Sequence, residues 1–563
     1  MAMGKSFRVS GVVDRRQGYS LLIEQRGKSE GLLVYSNNSV ARLTSVQLQE
    51  VRGEYEQLCD GYAVLGNVSQ LEGGGGGGLH HLLVATQILS VGRLGQSEVY
   101  RVTQVRSLSL RGQPGDSEKV AEVVRLLAGG SAYFSWASHG QPVDLSRRAG
   151  GPGEGPELGF LWSRLLHLPY SRAGVADWLV RLIMGSVEIR TVYVGATQLR
   201  AALISRLSGG RAGTRYNSRG LDDEGNTANF VETEQLLLTD SAASSFVQVR
   251  GSVPLFWEQP GLNVGSHKVK MSRGPDLTQA AFDKHFDGLS RDYSGVIILN
   301  LLGVNLVGSK EGEANLSNAY QEQQRSSRYH GGKIKHVLWD FHAEGGSKNL
   351  EKLWSKIKDD VETFGHFSTV KSSVQTGVIR TNCMDCLDRS NATQAWIAGR
   401  MLDSQLAALG IELKETTAGR LSDMYGQMWL SNGNSLSKIY AGTAALSQGG
   451  SKLLDGARSA ARTIQNNLLD KHKQEAFDLI LLGAGRQTDF RDRARLLLPR
   501  ELLHGNISSL LEVLSNDNNL RSPALPAAEC VSAVERLHRG GASEGRGREL
   551  QHQRWQTLPV CRI

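Results

Sequence analysis

Short apolar runs separated by turn residues dominate the chain from residue 6 to about 175. Tyr19–Ile23, Gly31–Tyr35 and His81–Ala85 are examples, and runs of this length between Gly, Asn and Ser predict strands. The unbroken glycines Gly73–Gly78 predict a disordered loop insertion between two strands. A second loose stretch, Arg147–Pro156, is rich in Gly and Pro. From about residue 180 the pattern changes. Strand-like Val187–Val194, Ser245–Val249 and Gly295–Leu299 alternate with helix-like Asn349–Phe364, Ala392–Leu409 and Ala457–Leu468. This alternation predicts a mixed α/β region reaching about Leu503. The expected organisation is a β-rich part over 1–178, an α/β part over 179–505 and a tail over 506–563.

The last 43 residues hold seven Arg, four Glu and neither Lys nor Asp, with little apolar periodicity. Such a segment buries too little surface to offset its ordering entropy, so a disordered tail is expected. The whole chain is 40% apolar and 21% charged, ordinary values for a globular protein. Its formal charge of +8 suits nucleic acid, an anionic membrane or an anionic substrate, without choosing among them. The amino terminus has no apolar core of a signal peptide, and the longest apolar stretch, Gly295–Gly308, is too short to span a bilayer. Cys59, Cys383, Cys386, Cys530 and Cys561 are few, odd in number and scattered, which argues against a disulfide framework. A soluble protein of a reducing compartment is expected.

The candidate chemistry lies in Arg380–Asn391, where Cys383 precedes Arg389 by six positions and Ser390 follows at once. Gly377–Arg380 predicts a short strand. Asn391–Leu409 predicts a helix, with Leu402, Leu406 and Leu409 on one face and Gly410 as its stop. A loop that empties into a helix N-terminus aims backbone N–H groups at an anion and lowers a cysteine's pKa. The loop residues Asn382, Met384, Cys386, Leu387 and Ser390 are therefore candidate phosphate binders, and the Arg389 fork can grip two phosphate oxygens. Cys383 is the candidate nucleophile of a two-step phosphate transfer through phosphocysteine. Either Asp385 or Asp388 can be the acid–base group, with Asp388 slightly favoured. The scheme requires no metal and no cofactor. Cys383 and Cys386 also form a C-x-x-C pair, but no second C-x-x-C pair follows to complete a zinc site.

Around this loop the sequence resembles the Sac family of phosphoinositide phosphatases, most closely the Sac domains of the synaptojanins. The loop matches a C-x₅-R-[T/S] signature, with Ser390 where threonine is commoner. Further matches are Arg211–Arg215, Asn229–Gln235, Gln248–Gln259, Gly308–Glu313, Trp339–His342, Trp429–Gly433, Ser437–Gly442 and Asp455–Ser459. The likeness runs from about residue 6 to about 500. It implies a β-rich N-terminal Sac subdomain followed by an α/β catalytic subdomain. It also implies metal-independent hydrolysis of phosphatidylinositol 4-phosphate and 3-phosphate, by Cys383 as nucleophile and Arg389 as phosphate ligand. The implied partners are phosphoinositide lipids of anionic membranes rather than nucleic acid. The implied setting is cytoplasmic and peripheral to endocytic or presynaptic membranes.

Arg250 can approach an inositol phosphate or pair with Glu232 or Glu234. Lys438 and Arg458 can line a basic mouth facing the membrane or be ordinary surface charges. His342 is expected to be a packed strand-end histidine, and Lys310, beside Glu311 and Glu313, a solvated charge. Two departures from the pattern stand out: Asn434, where aspartate is common, and the echo of Leu299–Gly303 in Val304–Gly308. They motivate a catalytically weak lipid-binding module as an alternative, and a cysteine-dependent protein phosphatase is another. The segments that would mark a following inositol 5-phosphatase domain are not visible, so a Sac-only product is expected.

Overall fold

The computed structural model describes residues 4–13, 18–70, 79–111, 118–153, 155–195, 197–215, 217–259, 269–304, 311–385, 387–442 and 471–483. The glycine run, the segment Ala457–Leu468, most of the echo, Cys386, Lys310, Arg458 and the tail lie outside them.

Two sheets carry the fold. The first is antiparallel, in the order Val40–Leu43, Gly31–Tyr35, Ser20–Gln25, Phe7–Val12, Tyr55–Gly61. The second has twelve strands and runs without a break from Ala63–Gln70 to Ile334–Leu338. It passes through residue 178, because Ile183 and Met184 pair with Tyr133 and Ala132. Antiparallel neighbours lead as far as Ala243–Arg250. There the sheet turns parallel: Ala243–Arg250, Gly377–Asn382, Gly295–Asn300 and Ile334–Leu338 lie side by side. The fold is thus mixed α/β, as the alternating pattern predicts.

Parallel strands covered on both faces read as continuous apolar runs, and Val296, Ile297, Ile298 and Leu299 are all buried. Their period of two divides them between layers. Val296 and Ile298 join Phe282, Phe286, Leu316 and Tyr320 from the helices Pro275–Asp292 and Glu311–Ser326. Ile297 and Leu299 join Leu353, Ile357, Ile397 and Met401 from Leu350–Phe364 and Asp388–Ala408. Burying each such side chain contributes about 1.5–3 kcal/mol. The Asp388–Ala408 helix ends as its sequence predicts, with Gly410 in the left-handed region at φ +70°.

Glu232 and Glu234 do not pair with Arg250. The buried Arg206 takes both, at 3.2 and 2.5 Å, and Arg148 adds a contact to Glu232 at 3.2 Å. The reason is cross-strand register: Arg206 sits directly opposite Glu232.

Candidate active site around Cys383

The strand Gly377–Asn382 is buried along its whole length between two parallel neighbours, and its last residue lies opposite Asn300. Asn382 Nδ2 donates to Asn300 Oδ1 at 2.8 Å, and Asn300 Nδ2 donates to Ser317 Oγ at 2.9 Å. The Asn382 amide nitrogen thereby helps to hold the strand end. Cys383 leaves this anchored end only 1% exposed, on the carboxyl side of the parallel strands where α/β sheets hold ligands. Ser390 Oγ donates to Cys383 Sγ at 3.3 Å. A hydroxyl aimed at sulfur favours the thiolate over the thiol. Met384 and Leu387 are buried, the first in the core beneath the loop and the second against Tyr440 and Ala441.

Arg389 lies in the first turn of Asp388–Ala408. Its fork engages Glu313, with Nη1 to Oε2 at 2.9 Å and Nη2 to Oε1 at 2.7 Å, while Nη1 also donates to Leu301 O at 3.2 Å. Glu313 Oε2 accepts a further bond from Gly303 N at 3.0 Å. Burial opposes the guanidinium's charge, but Cys383, Glu313 and Asp385 outweigh it and raise the Arg389 pKa. Burial likewise pushes the Glu313 carboxyl up, and Arg389 with the Gly303 amide brings it below its ordinary value.

The two loop aspartates differ. Asp385 accepts Arg215 Nε at 3.1 Å and Arg219 Nη2 at 2.7 Å, and its second oxygen lies 2.7 Å from Arg215 Nη2. Burial alone would raise its pKa, yet Arg215 and Arg219 hold it well below the usual carboxylate range. Arg219 also donates to Met384 O and to Gln259 Oε1, each at 2.9 Å, tying the loop to the Gln248–Gln259 segment. Asp388 is half-buried in the helix's first turn.

The surrounding elements meet at the same place. Arg250, buried at the end of its strand, donates to Asn391 Oδ1 at 3.4 Å, and Asn391 Nδ2 donates to Trp429 O at 3.0 Å. A Cβ at Gly433 would stand 2.6 Å from Asn391 Nδ2, so the helix Glu415–Ala441 can approach only where a side chain is missing. Lys438 is exposed on that helix, and Asn434 is half-buried. His342 is exposed in a turn rather than packed at a strand end. Asp340 Oδ1 accepts the His342 and Ala343 amides, turning the chain outward there. Among the described residues no group of three or more His, Cys, Asp or Glu side chains gathers to hold a metal ion.

Sequence reasoning missed Glu313 and Arg219. Glu313 looked like one of several loop charges, but it lies three, four and seven positions before the buried Leu316, Ser317 and Tyr320. That spacing puts it on the inward face of its helix.

The profile of the SacI homology domain matches residues 62–345. The chain is 46% identical to human Synaptojanin-1 over 508 residues, 88% of this chain and 32% of that protein. The chain belongs to the SacI homology domain family. This SacI homology chain is also 40% identical over 503 residues to Synaptojanin of Caenorhabditis elegans, covering 87% of itself and 43% of the relative. It is 32% identical over 408 residues to Polyphosphatidylinositol phosphatase INP53 of Saccharomyces cerevisiae, covering 64% and 35%. It thus spans less than half the length of each of these relatives.

Proposed function

We propose that this SacI homology chain hydrolyses phosphate monoesters of phosphatidylinositol phosphates, such as the 4-phosphate and 3-phosphate, through a phosphocysteine at Cys383. The observation that carries the reading is the buried Cys383 sulfur receiving the Ser390 hydroxyl, one residue beyond Arg389. The polyphosphatidylinositol phosphatase named among its relatives supports the substrate class. The proposed setting is the surface of anionic membranes in trafficking and endocytosis. Among the described residues no helix is long and apolar enough to cross a bilayer.

In the first step the Cys383 thiolate attacks phosphorus, the S–P bond forms and the bond to the inositol oxygen breaks. Arg389 holds two non-bridging oxygens in this step through Nε and the second Nη2 hydrogen, which Glu313 and Leu301 leave unused, and the loop amides and helix N-terminus face the rest. Asp388 protonates the departing oxygen. Water then attacks phosphorus, Asp388 takes its proton, and the S–P bond breaks to restore the thiolate. Asp385 is a poor donor because two arginines hold it ionised. It serves instead to fix Arg215 and Arg219 beside the phosphate loop.

The test is phosphate release from short-chain phosphatidylinositol 4-phosphate with and without chelator, by wild type and Cys383→Ser. The expected result is complete loss in the variant, no chelator effect, and an acid-quenched phosphoprotein absent from the variant. Full turnover by Cys383→Ser would falsify the proposal. The Arg389–Glu313 pair favours a second reading, a lipid-binding module with weak turnover, because Glu313 takes the Nη1–Nη2 side of the guanidinium and offsets its charge. Saturable vesicle binding without phosphate release would select it.

A further inference from the structure

A second cationic recess lies on the N-terminal five-stranded sheet, built by residues other than those around Cys383. Its volume is about 330 Å³, and Arg8, Arg26, Lys28 and Arg52 line it with Glu24, while Asp60, opposite Arg8 on the next strand, stands beside Arg8 and Arg26. Local structure explains the convergence. Arg8 and Glu24 are cross-strand partners, so their side chains leave the same face. Gly27 turns the chain at φ +85° just beyond that strand and sets Arg26 and Lys28 on either side of the turn. Arg52 follows the short helix Ser45–Val51 across the recess.

Most of this charge is loosely matched. Arg8 Nε and Arg26 Nη2 stand 3.8 and 3.9 Å from Asp60, and Lys28 Nζ stands 3.6 Å from Asp177. These separations exceed hydrogen-bond length. Arg8 Nε is buried and donates no hydrogen bond. The close pair is Arg52 with Glu24, at 3.0 Å. Ser29 and Ser45 add hydroxyls to the lining. A recess with several guanidinium forks, two hydroxyls and one apolar side chain, Leu48, fits a compact anion bearing more than one phosphate.

We infer that this recess is a second, non-catalytic site for a phosphorylated inositol ring, presented by a membrane lipid or free in solution. It goes beyond the proposed hydrolysis, since none of its residues belongs to the phosphate-transfer machinery. Occupied by a lipid head group, it would hold the N-terminal sheet against the membrane. Such retention raises the effective concentration of substrate at the catalytic loop without any new contact there.

The experiment uses the full chain carrying Cys383→Ser, with and without Arg26→Gln/Arg52→Gln. Both arginines are well exposed, and thermal melting checks that the double variant folds. One arm is calorimetric titration with inositol 1,4,5-trisphosphate. The other is sedimentation with phosphatidylcholine vesicles containing either phosphatidylinositol 4,5-bisphosphate or phosphatidylserine at equal charge. The expected result is that the double variant loses one equivalent of trisphosphate, or at least tenfold in phosphoinositide-vesicle affinity. Loss in the vesicle arm alone assigns the lipid as ligand, and loss in the titration alone assigns the soluble form. Unchanged binding in both arms overturns the inference. So does a parent protein that binds no trisphosphate and treats the two vesicles alike, because that is diffuse attraction. On the otherwise wild-type chain the double variant keeps its turnover of soluble short-chain substrate, so a failure of the proposed catalysis would be seen separately.

Discussion

Glu313 grips Arg389 through both carboxylate oxygens, at 2.9 and 2.7 Å, from a helix 76 residues earlier in the chain. The pair fixes the plane of the guanidinium beside Cys383. Neither side chain is more than 20% exposed, so solvent screens the pair weakly. Removing one member leaves the other charge buried, which costs about 3–5 kcal/mol in fully buried pairs. Glu313→Gln keeps one acceptor oxygen, so a loss of about 1–3 kcal/mol in stability is expected. Turnover should fall about tenfold or more, since a drifting fork loses the phosphate geometry. Chemical denaturation and steady-state kinetics on one preparation test both expectations.

Ser390→Ala removes the hydroxyl on Cys383 and leaves the fold intact. Hydrogen bonds to charged groups are worth about 1.5–3 kcal/mol, and one pKa unit is about 1.4 kcal/mol. Half-maximal alkylation by iodoacetamide should therefore move up by about one pH unit or more. An unchanged alkylation profile would mean that the serine does not support the thiolate.

The two aspartates should separate by substrate. Asp388→Asn should slow phosphoinositide hydrolysis by about 10²–10⁴-fold, the range for a lost general acid. An aryl phosphate whose leaving group needs no proton should be affected much less. Asp385→Asn should instead loosen Arg215 and Arg219 and raise KM for both substrates. Equal losses on both substrates for Asp388→Asn would rule out its role as acid.

Acid should destabilise the fold through its buried histidines. His285 Nε2 accepts from Arg380 Nε at 3.2 Å, and Nδ1 faces Gly225 O at 3.0 Å, so the neutral ring fills both contacts. Burial, and then Arg380, push its pKa down from 6.5 to about 3. Between those values the unfolded chain binds the proton and the folded one does not, so stability falls as pH drops from about 6.5 towards 3. His167 and His336 are pushed down to about 4, mainly by burial, and add to the same loss. Denaturation midpoints at steps from pH 7 to pH 4 should show it, and His285→Gln should flatten the slope. A slope unchanged by that substitution would remove His285 from the account.

The strand before Cys383 and the helix after it were legible because both follow simple rules. Val378 and Ile379 are apolar and β-branched, and Gly410 stops the helix. The helix itself starts at Asp388, three residues before the expected Asn391, because loop residues with helical backbone carry no apolar signature. Glu313 and Arg219 were not legible as site residues. Their roles depend on which strands become neighbours: Gly295–Asn300 and Gly377–Asn382 pair across 82 residues of sequence, and periodicity does not encode that pairing. The contrast between Asp385 and Asp388 was hidden for the same reason, since Arg215 and Arg219 arrive from a distant segment.

The unbroken ladder across residue 178 limits how this protein can be divided. A fragment beginning at 179 would keep Ile183 and Met184 but lose the strand that covers them. Its largest sheet would then end in an open, apolar edge able to template another copy. Any exchange of the two halves must therefore preserve the fit of Tyr133 and Ala132 to Ile183 and Met184, so residue 178 is a place to cut only when both sides come matched.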